Sequence, residues 1–150
     1  MNQAFTNLDE SQIFGLTLYG EARGEPDEGK IAVGSVILER VKQGNRGKNI
    51  KEVCLWRKQF SCFNEFDKGY GKILHIAETW DEAIATDFVL MSCFGISVGM
   101  ISGYIPEHPV ILEARCLNYL NPKQASEARE RWLESGMKSV LVIEKHEFFA

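Results

Sequence analysis

A chain of 150 residues, 45% hydrophobic and 25% charged, has the size and mix of one soluble globular domain spanning residues 1–150 around one core. Its formal charge of −4 and pI near 5.4, with no basic run longer than the "RK" of "WRK", exclude the basic face of a nucleic-acid binder. Cys54, Cys62, Cys93 and Cys116 form no C-x-x-C pair, and His75, His108 and His146 stand at no zinc-ligand spacing, so no metal or cofactor is implied. Buried free thiols are the expectation for a chain made inside a cell. The opening "MNQAFTNLDESQ" has no basic stretch followed by an apolar one, so no secretory signal is expected.

The first predicted helix covers residues 9–22. Asp9 is its cap, with Gln12 in capping-box register, and Ile13, Leu16, Tyr19 and Gly20 share one face. Gly24 and Pro26 end it and start a second helix over residues 27–43. The middle of that helix, "IAVGSVIL", carries no charge and predicts burial nearly all round. "GNRGKN" reads as a loop, "NIKEVCLW" as a short helix capped by Asn49, and "QFSCFNEFDKGYG" as an ordered loop.

Residues 88–105, "FVLMSCFGISVGMISGYI", contain no charge, and Gly95, Gly99 and Gly103 recur every four residues, a spacing that also suits helix pairs in lipid. The stretch is marginal in length for a membrane span and is flanked by Asp87 and Glu107 rather than basic residues. We read it as a central core helix whose glycines admit close neighbours, with no stable membrane span. "EARCLNYL" and "SVLVIEKHEFF" have strand character and are joined by the amphipathic helix "ASEARERWLESG", with Trp132 in the core. The fold class is therefore α+β, predominantly helical, with a small antiparallel β element near the C-terminus.

Chemistry concentrates at "LYGEARGEP", where Glu21 and Glu25 sit at the elbow between the first two long helices. Glu21 lies in the last turn of an apolar helix. The helix dipole and a desolvated setting both disfavour its anion there, and a carboxyl kept protonated near neutral pH is what a general acid requires. Taken blind, however, a Glu near a helix end is usually a solvated surface residue, and spacing alone does not overturn that.

"EARGEPDEGKIAVGSVILERV" resembles the signature of the SleB/CwlJ-type cell-wall hydrolases, the spore cortex-lytic enzymes and their bacteriophage relatives. Three further blocks are similar to that family in order: "VCLWRKQFSCFNEFD", "CLNYLNP" and "VIEKHEFF". The chain departs from the pattern at Glu39, where Asn is usual before Arg-Val, at Glu144, where Gly is usual before Lys-His, and at Asn118, where His or Tyr is common.

The resemblance implies a lysozyme-like domain that cleaves the glycan strand of peptidoglycan, with Glu21 as the catalytic acid. It favours a lytic transglycosylase, which needs one carboxylate; hydrolysis usually needs two, and Asp67, Glu65 and Glu28 carry no positive sign of being the second. Glu25 reads as structural, a cap and dipole partner for the second helix. By the same resemblance Gln59, Phe60 and Ser61 line the cleft, although Phe60 reads equally as a core residue of an ordered loop. Tyr119 and Asn121 bind sugar by stacking and hydrogen bonding, or Tyr119 is a buried strand residue. His146 donates to substrate or orients a neighbour; a lone His beside a strand is more often structural.

The implied partner is the peptidoglycan glycan strand, with other virion proteins as possible associates. The expected setting is a phage endolysin released by a holin, or a virion-borne enzyme, made in the bacterial cytoplasm and acting on the wall. The alternatives are a hydrolytic muramidase and a non-catalytic virion component of the same fold. That last case predicts loss of the acid, and Glu21 is present.

Overall fold

The computed structural model describes residues 2–44 and 46–150; Met1 and Asn45 of the expected "GNRGKN" loop lie outside them. In chain order the elements are α1 (Gln3–Asn7), α2 (Glu10–Ala22), α3 (Asp27–Gln43), α4 (Ile50–Leu55), a 3-10 turn (Ser61–Phe63), α5 (Tyr70–Glu78), α6 (Trp80–Thr86), α7 (Phe88–Ile101), α8 (Pro109–Ala114), β1 (Asn118–Leu120), α9 (Ser126–Glu134), β2 (Ser139–Ile143) and β3 (His146–Phe149). The architecture is helical with one small antiparallel sheet, the expected α+β class.

The Asp9 capping box forms: its carboxylate accepts the Gln12 N–H at 2.8 Å, and the Gln12 amide oxygen accepts the Asp9 N–H at 2.8 Å. The helix it starts, α2, is the central one. Every residue from Ile13 to Tyr19 is buried, so α2 is enclosed on all sides rather than along one stripe. α3 packs beside it with Ala32, Val33, Val36 and Ile37 fully buried, and Gly44 closes it in the left-handed region at φ 69°.

The expectation for residues 88–105 is corrected. α7 stops at Ile101, and the chain then folds back, with the Ile105 N–H donating to the Gly99 carbonyl at 2.8 Å. Leu90, Cys93, Ile96, Ser97 and Met100 are buried against α2, but Phe88 is 82% exposed, and Met91, Val98 and Ile101 also face out. An uncharged stretch therefore has two environments that its composition could not distinguish. The glycine stripe is not a packing surface either. Only at Gly99 would a Cβ meet a neighbour, Ile105, while Gly95 and Gly103 face open space. α2 and α7 are tied instead by the Tyr19 hydroxyl, which donates to Asp87 at 2.7 Å, and Asp87 itself caps α7. No single helix among the described residues is long and apolar enough to cross a membrane.

The β element has three strands in the order β1-β3-β2. "SVLVIEKHEFF" is not one strand but a hairpin, β2–β3, with Ile143 paired to His146 across Glu144 and Lys145. Glu144 alone of the two turn residues has positive φ, at 44°, the pattern of a II′ turn in which glycine is favoured first. That is why Gly is natural where this chain carries Glu. Only "NYL" of "EARCLNYL" is extended, because Pro109 starts α8 over the preceding residues. On one face of the sheet Tyr119, His146 and Phe148 pack together; on the other Glu147 accepts two hydrogen bonds from Arg129 of α9. Trp132 meets Phe149 edge-on at 5.3 Å but stays only half-buried, so it lies at the margin of the core. All four cysteines are buried and free.

Candidate active site

Between the C-terminal end of α2 and the sheet lies a cleft of ≈ 630 Å³, a size that suits a small-molecule or sugar site. Glu21 lines it. Burial holds its carboxyl above the ordinary value of 4.5, and the negative charge of Asp67 adds to this. Hydrogen bonds work the other way: the Cys62 N–H donates to Oε1 at 3.5 Å and the Tyr119 hydroxyl to Oε2 at 3.2 Å. Burial, then the neighbouring Glu21, pushes the Tyr119 phenol well above its usual range, so Tyr119 remains a donor. The Cys62 thiol is likewise driven up by burial and stays neutral.

Two positions upstream of the chemistry make this geometry possible. A Cβ on Gly20 would fall 2.6 Å from the Cys62 Sγ, so only glycine lets the last turn of α2 approach the 3-10 turn closely enough for Glu21 to meet the Cys62 N–H. On α3, Arg40 is buried and donates twice to the Leu117 carbonyl, at 2.9 and 2.7 Å, just before β1. A helix 77 residues away in sequence thereby fixes the strand that carries Tyr119.

Glu25 lines the same cleft but does not cap α3. Pro26 is the N-cap and offers no side-chain bond; Asp27 and Glu28 complement the dipole instead. Gly29 leaves room for the Glu25 side chain, since a Cβ there would lie 2.9 Å from the Glu25 Cβ. The carboxylate runs to the β2–β3 turn, where Oε2 accepts the Lys145 N–H at 3.3 Å and Oε1 sits 3.8 Å from Nδ1 of His146. At that distance the His146 contact is electrostatic rather than a hydrogen bond. Burial depresses the His146 pKa below its usual 6.5, with Glu25 opposing and Lys145 adding to the fall, so the ring is neutral at pH 7. Tyr119 meets that ring edge-on at 5.2 Å.

The cleft thus gathers Glu21, Glu25, Gln59, Ser61, Tyr119, Asn121 and His146. Phe60 is not among them: at 2% exposure it is a core residue beneath the Arg40 guanidinium. The Gln59 side-chain oxygen accepts from Arg46 at 3.2 Å, and that of Asn121 accepts the Lys123 N–H at 3.0 Å, which leaves the Asn121 amide nitrogen to the cleft. Glu28 pairs with His108 and Glu65 is solvent-exposed, so Asp67 is the one of the three secondary carboxylates whose charge reaches Glu21. Sequence reasoning missed Arg40, Arg23, Lys58, Asn64, Gln124 and Lys145 as cleft residues. For Arg40 a signal existed: a cation just past the charge-free middle of a buried helix must have a buried acceptor.

The family model described as Cell Wall Hydrolase matches residues 24–149, beginning just after Glu21. Comparison with curated protein sequences yields no significant match. Among solved structures the chain is similar to the catalytic domain of the germination-specific lytic transglycosylase SleB from Bacillus anthracis, at 22% identity and TM-score 0.60, covering 100% of this chain and 97% of that one. It is also similar to the catalytic domain of SleB from Bacillus cereus, at 22% identity and TM-score 0.58, covering 94% and 89%. At such identities the likeness is one of fold.

Proposed function

Because the chain belongs to the cell wall hydrolase family, we infer that it cleaves peptidoglycan glycan strands as a lytic transglycosylase, with Glu21 as its single acid and base. The observation that carries this reading is one carboxyl, held above its ordinary pKa by burial in the wall of an open cleft and contacted by a tyrosine hydroxyl. Glu21 donates its proton to the glycosidic oxygen leaving C1 of N-acetylmuramic acid. The carboxylate so formed then takes the proton of the 6-hydroxyl of the same sugar as that oxygen bonds to C1. One C–O bond breaks, another forms, the 1,6-anhydro product leaves, and Glu21 is again protonated.

Tyr119 steadies the carboxylate between the two steps by donating to Oε2. Gln59, Ser61, Asn121 and His146 offer hydrogen-bonding groups along the cleft walls for the acetamido and hydroxyl substituents. Glu25 is committed to the hairpin turn, which supports a mechanism without a second carboxylate. We extend the proposal to a bacteriophage source, as an endolysin or a virion-borne enzyme, on the resemblance of residues 21–41 to a family that includes bacteriophage members.

The test is mass spectrometry of muropeptides released from purified sacculi. Ends in 1,6-anhydromuramic acid are expected. Reducing ends heavier by one water would place the enzyme among the muramidases and turn attention to Asp67.

A further inference from the structure

The mechanism leaves three cations of the cleft unused. Arg23 at the end of α2, Lys58 in the turn after α4 and Lys145 in the β2–β3 turn all line it, and all three are exposed. None forms an ion pair among the described residues. Lys58 is held in the left-handed region, φ 63°, inside a turn closed by the Gln59 N–H on the Trp56 carbonyl at 3.0 Å. A lysine adopts that conformation against a steric cost, and such strain concentrates where a side chain must be presented in one place.

The charge balance of the cleft opposes that of the chain. With buried Arg40 the cleft contains four basic side chains, against only Glu21 and Glu25, in a protein where acidic residues outnumber basic ones 21 to 17. Burial favours the neutral form of Glu21, and Glu25 is turned onto the hairpin. Yet where a stem is attached, the lactyl carboxyl of muramic acid is held in an amide, and the glycan itself is uncharged. A cationic cleft therefore exceeds what the sugars alone can use.

Resting on the transglycosylase reading above, we propose that Arg23, Lys58 and Lys145 bind the free carboxylates of the peptide stems on muramic acid, making the enzyme selective for glycan whose stems are anionic over glycan whose stems are neutral. The position of the charges fits. A stem is attached through the lactyl ether, so its carboxylates lie outside the sugar ring, at the height of an exposed rim. Arg40, on the floor and committed to Leu117, adds field but no contact.

The experiment compares initial rates on intact sacculi and on the same sacculi whose free stem carboxylates have been converted to neutral amides with carbodiimide and ammonia. The wild type should favour the carboxylate-bearing substrate by at least about tenfold at low ionic strength, and this ratio should shrink in about 0.5 M salt, where charges are screened over a few ångströms. Lys58→Ala and Lys145→Ala should each reduce the ratio about two- to fivefold, the range of one exposed charge pair, and Lys58→Glu with Lys145→Glu should bring it near one. All these positions are exposed, and unchanged thermal unfolding of each variant verifies its fold. Equal wild-type rates on both substrates, or a ratio unmoved in the double variant, would overturn the proposal. Absence of anhydro product from either substrate would instead sink the underlying assignment of the reaction, and this one with it.

Discussion

The two walls of the cleft are built by different physics. One wall is helical: α2 carries Glu21, and the adjoining α3 is locked against it by a nearly uncharged interior. The other is the sheet, whose Tyr119 reaches Glu21 across 98 residues of sequence and whose His146 is seated by Glu25. The helical wall supplies the reacting group on a rigid, fully enclosed element. The sheet wall supplies groups that tune it, on three short strands held in place by Arg40 reaching over from α3 and Glu25 from the turn between α2 and α3. The difference teaches where a change should abolish activity and where it should only shift a titration.

The sharpest break is expected at Glu21. Glu21→Gln keeps the shape but donates no proton, and turnover of sacculi should fall at least about 10²-fold, the low end for general acid catalysis. Stability should move the other way. A carboxyl with a raised folded-state pKa contributes fully below its ordinary value of 4.5 and loses that contribution as pH rises through the folded value. The Gln variant's melting temperature should therefore gain on the wild type as pH climbs from 4.5 towards neutrality. A dead variant whose advantage shrinks with pH would contradict the electrostatic account while sparing the catalytic one.

Next is Gly20→Ala, on the same wall. Its new Cβ would press on both Sγ and Cβ of Cys62, at 2.6 and 2.7 Å, so the 3-10 turn must move. Overpacking of this kind costs about 1–3 kcal/mol. Because Glu21 loses its place beside the Cys62 N–H, activity should drop at least about tenfold even well below the melting point. Full activity at wild-type stability would show that the close approach is dispensable.

On the sheet wall the effects should be graded. Tyr119→Phe removes a hydrogen bond that favours the Glu21 anion, so the Glu21 pKa should rise further. The alkaline limb of the pH–rate profile should shift to higher pH, with the maximal rate reduced several-fold; a shift to lower pH would refute the direction assigned here. Smallest of all should be Glu25→Gln. It weakens a buried bond to the Lys145 N–H, worth about 0.5–1.5 kcal/mol, while most activity survives. Since the Glu25 charge opposes the burial effect on His146, its loss should lower the His146 pKa in an NMR titration. Were Glu25→Gln inactive yet fully stable, the two walls would share the chemistry and the single-acid mechanism would fall.

The helical wall was legible in the amino-acid order because its determinants are local. The capping box at Asp9 and the charge-free middle of α3 each act within a few residues and formed as read. The break between the helices falls where expected, but Arg23 is the C-cap of α2 and Pro26 the N-cap of α3 rather than a residue of its first turn. Glu21 stood out from its place at a helix end beside the resembling motif. What sequence could not decide is where an apolar surface meets a partner. Residues 88–105 are uncharged on every side, yet half of α7 faces outward and α2 takes the centre. Glu25 sits where a cap belongs, but the space over Gly29 leads it to the hairpin. "SVLVIEKHEFF" contains enough residues for one long strand or two short ones, and the turn at Glu144 decides. Arg40 finds its acceptor 77 residues away. Helices and caps are settled by neighbours in sequence, whereas burial, ion pairing and the charge of a cleft are sums over groups that only the folded chain brings together.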